Sequence, residues 1–152
     1  MRYYFLKEDF EELENSIAEI RERILLYQKE KGLSTTQSSE TWHDNYGFEE
    51  SERQIKRLYG QLQEIMEIKI NSEIIEPANN NKAGIGKTVK IKNLETGEEK
   101  EIFIGSYMAL KNKNSVSYES PLGKILLGAK KGKIKKGIIN KKSVILKIVD
   151  IY

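Results

Sequence analysis

"FEELENSIAEIRERILLY", Phe10 to Tyr27, decides the fold. Its apolar residues Phe10, Leu13, Ile17, Ile20, Ile24 and Tyr27 follow one another at alternating steps of three and four. On a helix that spacing keeps them on one stripe, a heptad seam that needs a partner. The partner lies further along: Ile55, Leu58, Leu62 and Ile65 repeat the spacing, with Phe48 one heptad before Ile55. Between the two seams, "KGLSTTQSSETWHDN" (Lys31 to Asn45) is polar and contains glycine and serine, the composition of a connection. The expectation is an antiparallel helical hairpin that buries both stripes, with arms of about 25 residues and about 37 Å. Gly60, inside the second stripe, weakens that helix by about 1 kcal/mol relative to alanine, and the sequence offers no reason for it.

Composition narrows the function classes. The chain has 152 residues, no cysteine and a single histidine, His43, so thiolate chemistry, disulfides and multi-histidine metal sites are excluded. No apolar run approaches the ~18 residues of a membrane span, and the opening residues do not form a secretory signal, so a cytoplasmic monomer without membrane contact is expected. Residues 1–76 hold 10 Lys and Arg against 17 Asp and Glu, a balance of −7; residues 77–152 hold 16 against 6, a balance of +10. Two electrostatically different halves suit two different partners.

"EPANNNKAG", Glu76 to Gly84, carries the proline, asparagines and glycine of a linker. The expected division is therefore a helical arm over 1–76, a linker over 77–84 and a globular domain over 85–152. In the last part Val89 and Ile91, a Glu95–Glu98 turn, then Ile102 and Ile104 read as a β-hairpin, and "SVILKIVDIY" (Ser143 to Tyr152) reads as another strand. Leu122, Ile125 and Leu126, flanked by glycines, read as a short helix. The fold class is α+β, with a mostly antiparallel sheet.

Several stretches invite a chemical reading. "GIGKT", Gly84 to Thr88, looks like the end of a phosphate-binding loop, but Asn81 stands where the first glycine should be and a strand pattern follows instead of a helix. The lysines of "GAKKGKIKKGIINKK" (Gly128 to Lys142) read either as a solvated face or as a weak nucleic-acid contact, with no aromatic among them to stack bases. "SSETWHDNYGFEE" (Ser38 to Glu50) sets Trp42 and His43 between acidic residues at the hairpin's turn. Glu40 and Asp44 are hard oxygen donors able to hold a divalent cation; Asp44 and Asn45 also read as a cap for the second helix.

"SYESPLGKILLGAKKGK" (Ser117 to Lys133), "IIEP" (Ile74 to Pro77), "GKTVKIKNLETGEE" (Gly86 to Glu99) and the final "LKIVDIY" together resemble the Gre transcript cleavage factors of bacterial RNA polymerase, across nearly the whole chain. The resemblance implies a coiled-coil hairpin followed by an FKBP-like domain. It further implies an accessory factor that docks on RNA polymerase through Ser120, Pro121, Leu122 and Gly123, inserts its tip in the secondary channel and promotes cleavage of backtracked nascent RNA. Catalysis would remain the polymerase's, with tip carboxylates helping to hold a shared Mg²⁺.

The family's tip reads Gly-Asp-Leu-x-Glu-Asn-Ala-Glu-Tyr. Aligned back from "IIEP", Asp44 takes the place of its Glu, Asn45 of its Asn and Phe48 of its Tyr, while Thr41 takes the place of its Asp, with Glu40 one residue away. Trp42 and His43 have no counterpart, and Tyr46 and Gly47 replace Ala-Glu. Aspartate in place of glutamate withdraws the carboxylate by about 1.5 Å, where metal–oxygen distances must be near 2.1 Å. The rival expectations are a channel-occupying regulator that does not stimulate cleavage and, from another class, a prolyl isomerase or peptide binder lined by Phe103, Tyr107, Tyr118 and Tyr152.

Overall fold

The computed structural model describes residues 1–37, 46–108 and 114–152, with side chains over 1–32, 47–108 and 114–152. It divides into two compact units, one of Glu11–Asn71 and one of Met1–Phe10 together with Ser72–Tyr152.

The first unit is the helical pair. Helix α1 spans Lys7–Gln37 and helix α2 Tyr46–Ile70. Leu13, Ile17, Ile20 and Ile24 are buried on α1 and Leu58 on α2, with Tyr27, Leu62 and Ile65 packed beside them. The stripes therefore face each other, as their spacing requires. Cross-helix contacts fix the direction: Lys69 Nζ lies 3.1 Å from Glu14, and Lys31 Nζ lies 3.0 Å from Glu52. Early residues of α1 meet late residues of α2, an antiparallel hairpin. Helix α1 runs further than expected, through Gly32 and on to Gln37, into the stretch read as connection. A Cβ on Gly32 would meet nothing within 4 Å, so that glycine costs helix propensity without blocking the helix. Ser51, a small polar residue on the seam between Phe48 and Ile55, is also buried.

The second unit is built on a sheet. Strands β1 (Tyr3–Phe5) and β2 (Ser72–Ile74) form a parallel pair, Tyr3 opposite Ser72 and Phe5 opposite Ile74. This pairing is why both ends of the expected 1–76 arm fall in the sheet-containing unit. Strands β3 (Thr88–Asn93), β4 (Glu99–Gly105), β5 (Ser115–Ser117), β6 (Ile134–Ile139) and β7 (Lys142–Ile151) form a five-stranded sheet in the order β5-β4-β3-β7-β6. Three of its pairings are antiparallel; β4 and β5 are parallel, which makes the sheet mixed rather than wholly antiparallel. A parallel neighbour cannot be reached by a tight turn, and the Ser106–Asn114 link supplies the longer path.

The β3–β4 turn follows from its asparagine. Asn93 Oδ1 accepts the Glu95 and Thr96 amides at 2.9 and 3.3 Å, and Gly97 supplies a φ of +74°. Val89, Ile91, Ile102, Ile104, Leu146 and Ile148 bury one face of the sheet, and helix α3 (Pro121–Leu126) covers it with Leu126. The expected 77–84 linker is anchored to this unit. Ala83 is buried in the core, its amide donates to Ala129 O at 2.7 Å, and its carbonyl accepts from Gly128 N at 2.8 Å. Proline and asparagine mark turns, yet turn chemistry alone does not reveal that the backbone between them is tied down.

Candidate functional site

Two surfaces hold the residues expected to carry function, and they differ in how far the structure accounts for them. Ser120 stands in an extended conformation ahead of α3, and its Oγ accepts the Gly123 amide at 3.0 Å while donating to Ser117 O at 2.6 Å. It is an N-cap with its hydrogen-bonding capacity used twice. Pro121 follows in the first helical turn, where a missing N–H costs nothing. A Cβ on Gly123 would lie 2.1 Å from Ser117 O, so no larger residue fits. Three of the four residues expected to bind polymerase therefore have a local folding role. Pro121 is nonetheless exposed, and Leu122 is only half-buried.

Leu122 also borders a cleft of ≈ 210 Å³ on the covered face of the sheet. Ile102, Val144 and Leu146 line it, with Asn93, Glu98 and Lys100 at its polar edge. Lys100 Nζ sits 3.3 Å from Glu98, a surface ion pair. The arrangement fits an apolar side chain of a partner, with charges available to orient what surrounds it.

At the other surface, Glu40, Thr41, Trp42, His43, Asp44 and Asn45 lie outside the described residues. Phe48 lies within them, half-buried, with Lys31 Nζ 4.9 Å from its ring centroid. Lys31 thus binds both Phe48 and Glu52, holding the two helices together near their connection. Glu49 and Glu50 turn toward Arg53, at 3.8 and 3.7 Å, and Glu50 also accepts from Gln54 Nε2 at 2.8 Å. Among the described residues no three His, Cys, Asp or Glu side chains gather in a way that could hold a metal.

The remaining candidates resolve differently. Lys87, the lysine of "GIGKT", donates to Asn80 O, Asn80 Oδ1 and Lys82 O at 2.6, 2.9 and 2.9 Å. Its ammonium is saturated by the turn before it, and Thr88 opens a strand, so no phosphate loop forms. Tyr107 packs on Tyr3 with ring centroids 4.4 Å apart and on Tyr118 at 6.5 Å. Tyr118 OH accepts the Tyr4 amide at 3.2 Å, and burial pushes the phenol's pKa above its ordinary value. Tyr152 OH donates to Glu101, which raises its pKa in turn. None of these aromatics lines the cleft, so an aromatic isomerase pocket is absent there.

Ser106 is the interaction that sequence reading missed. It is fully buried, accepts the Leu6 amide at 2.8 Å and donates to Asp9. A serine after an apolar strand carries no signal of such a role.

The family described as transcription elongation factor, GreA/GreB, C-terminal, matches residues 78–152. Transcription elongation factor GreA of Thermosipho melanesiensis is 31% identical over 134 residues, covering 88% of this chain and 85% of that protein. GreA of Thermotoga neapolitana is 32% identical over 136 residues, covering 86% and 84% respectively. The crystal structure of GreA factor homolog 1 of Thermus thermophilus aligns with 100% of this chain and 99% of that one, at 21% identity and a TM-score of 0.47.

Proposed function

The chain belongs to the GreA/GreB family of transcription elongation factors, and on that premise we propose that it docks on RNA polymerase through the surface around Pro121 and Leu122 and promotes cleavage of backtracked RNA. The observation that carries the docking half is the cleft beside Leu122, an apolar recess next to the exposed Pro121. Ser120 and Gly123 act one step back, by holding the turn that presents Pro121. The factor works as a monomer in the cytoplasm; no helix among the described residues is long and apolar enough to cross a membrane.

The cleavage half rests on residues at the connection between the helices. Glu40 and Asp44 offer hard carboxylate oxygens, the donor type Mg²⁺ prefers, and would hold a cation shared with the polymerase active site. Bound there, the cation supplies charge stabilisation and a water made more acidic for phosphodiester hydrolysis. The chain's part is to present carboxylates on a helical arm, so it is an accessory factor and the polymerase remains the catalyst. Glu49 and Glu50 lie within ion-pair distance of Arg53, and the proposed donors are Glu40 and Asp44.

Cleavage on stalled elongation complexes tests the reading. Release of short RNA by the wild type, lost in Asp44→Ala with polymerase binding intact, is the expected result; equal and negligible release by both proteins overturns the catalytic part. Competition for polymerase by Pro121→Ala tests docking separately. The second reading, a regulator that occupies the channel without stimulating cleavage, is favoured by Trp42 and His43, which have no counterpart in the family's tip. Inhibition of ordinary elongation that disappears in Trp42→Ala would establish it.

A further inference from the structure

Strand β6 is an edge of the five-stranded sheet, paired among the described residues only with β7. Its turn into β7 has two residues, Asn140 and Lys141, with φ of +51° and +65°. Such a turn makes Ile139 and Lys142 the first hydrogen-bonded pair, so the N–H and C=O groups of Ile138, Lys136 and Ile134 face the open edge.

Natural sheets guard such edges with lysine, proline or bulges. The lysines are here, but so are two large aliphatic side chains: Ile134 is 54% exposed and Ile138 70% exposed, flanking Lys136 on the sheet face away from α3. The register extends this face inward. Ile134 stands opposite Lys147, which stands opposite Lys92 on β3. Two lysines directly across a ladder repel each other, and among the described residues neither forms an ion pair; Glu99, on the far side of Lys92, is engaged with Lys90 at 3.5 Å. Between residues 130 and 149 there are eight lysines and no acid, and Lys131 alone among them is ion-paired within the described residues, with Asp150 at 3.2 Å.

Stability alone explains neither the exposed isoleucines nor the facing lysines. We propose that the β6 edge is a docking strand for an extended segment of a partner protein that carries an aliphatic, an acidic and an aliphatic residue at successive alternate positions. Such a segment adds to the sheet next to β6, satisfies the open backbone groups of Ile134, Lys136 and Ile138, and turns its alternate side chains to their face, a carboxylate against Lys136 and an aliphatic group against each isoleucine. A six-residue edge corresponds to about 20 Å of strand, enough for five or six partner residues. A nucleic-acid strand would neutralise the lysines but leave the isoleucines and the edge amides uncovered, and so fits the face less completely.

The experiment uses the full chain and a fluorescent peptide with valine, glutamate and isoleucine at successive alternate positions and threonine between them. Three controls accompany it: the same peptide N-methylated at alternate amides, a scrambled peptide, and a single-stranded oligonucleotide of equal charge. The alternating peptide should bind, and its affinity should fall about ten-fold or more on N-methylation, in Ile138→Ser and in Lys136→Glu. The amides of Ile134, Lys136 and Ile138 should gain exchange protection on binding. No binding, equal binding of the methylated peptide, or oligonucleotide binding that exceeds the peptide's and is unchanged in Ile138→Ser would each overturn the proposal. Polymerase docking near Pro121 is read in a separate assay, so either can fail alone.

Discussion

The Ser106 hydroxyl donates to the Asp9 carboxylate while accepting the backbone N–H of Leu6. Removing it leaves a part-buried amide and a half-buried carboxylate short of a partner. Ser106→Ala should therefore lower stability by about 2 kcal/mol, more than an ordinary hydrogen bond contributes. Asp9→Asn, whose amide oxygen still accepts from Ser106, should cost less. Urea unfolding of the two variants and the double mutant checks both the size and the coupling.

Gly60 sits in the interior of α2, exposed, and a Cβ there would meet nothing within 4 Å. Gly60→Ala should raise stability by about 1 kcal/mol through helix propensity and a less disordered unfolded chain. A higher unfolding midpoint with unchanged helix content by circular dichroism is the expected outcome; a loss of stability would show that the glycine meets a requirement of α2 that its surroundings do not reveal.

Tyr118 is buried, with its phenol pKa raised from the ordinary 10.0 chiefly by desolvation. For a group raised in the folded state, the stability contribution is full below the unfolded pKa and is lost as pH climbs through the folded value. The protein should thus weaken on the alkaline side of pH 10. Tyr118→Phe should cost about 1 kcal/mol at neutral pH, from the lost bond to Tyr4 N, and should flatten that alkaline decline.

Around α3, three substitutions separate folding from docking. Gly123→Ala pushes a methyl into backbone at 2.1 Å and should destabilise by about 3 kcal/mol. Ser120→Ala removes the cap and should cost about 1 kcal/mol. Pro121→Ala, at an exposed position, should change the unfolding midpoint least of the three and reduce polymerase competition most among the folded variants. A Pro121→Ala protein that competes as well as wild type would move the docking surface elsewhere.

What could be read in the sequence was what repeats locally. Leu13 to Ile24 and Ile55 to Ile65 spell out their seams residue by residue, and Val89 to Ile104 carries both its alternation and its turn. Parallel pairing of Tyr3–Phe5 with Ser72–Ile74 could not be read, because each strand has three residues and its partner lies beyond the whole hairpin. Ser51 and Ser106 were hidden for another reason: a serine that is buried and one that is exposed look alike until the neighbours are known. The candidate functional residues divided the same way. Ser120, Pro121 and Gly123 stand out in sequence, yet the same letters meet the needs of a cap, a first turn and a close backbone approach.

The parallel β1–β2 pair has a consequence for synthesis. The helical unit is one uninterrupted stretch of chain, closed by contacts that are complete once Asn71 has emerged, whereas the sheet unit joins Met1–Phe10, before the hairpin, to Ser72–Tyr152, after it. On the ribosome the hairpin can zip early, while β1 must wait for β2 and the sheet core for β7. The arm is, in genetic terms, a cassette inserted into a domain. Replacing residues 11–71 by a linker that completes a parallel crossover of about a dozen residues should leave a sheet domain able to fold, and transplanting a different hairpin between the same two strands should exchange the tip without redesigning its mount.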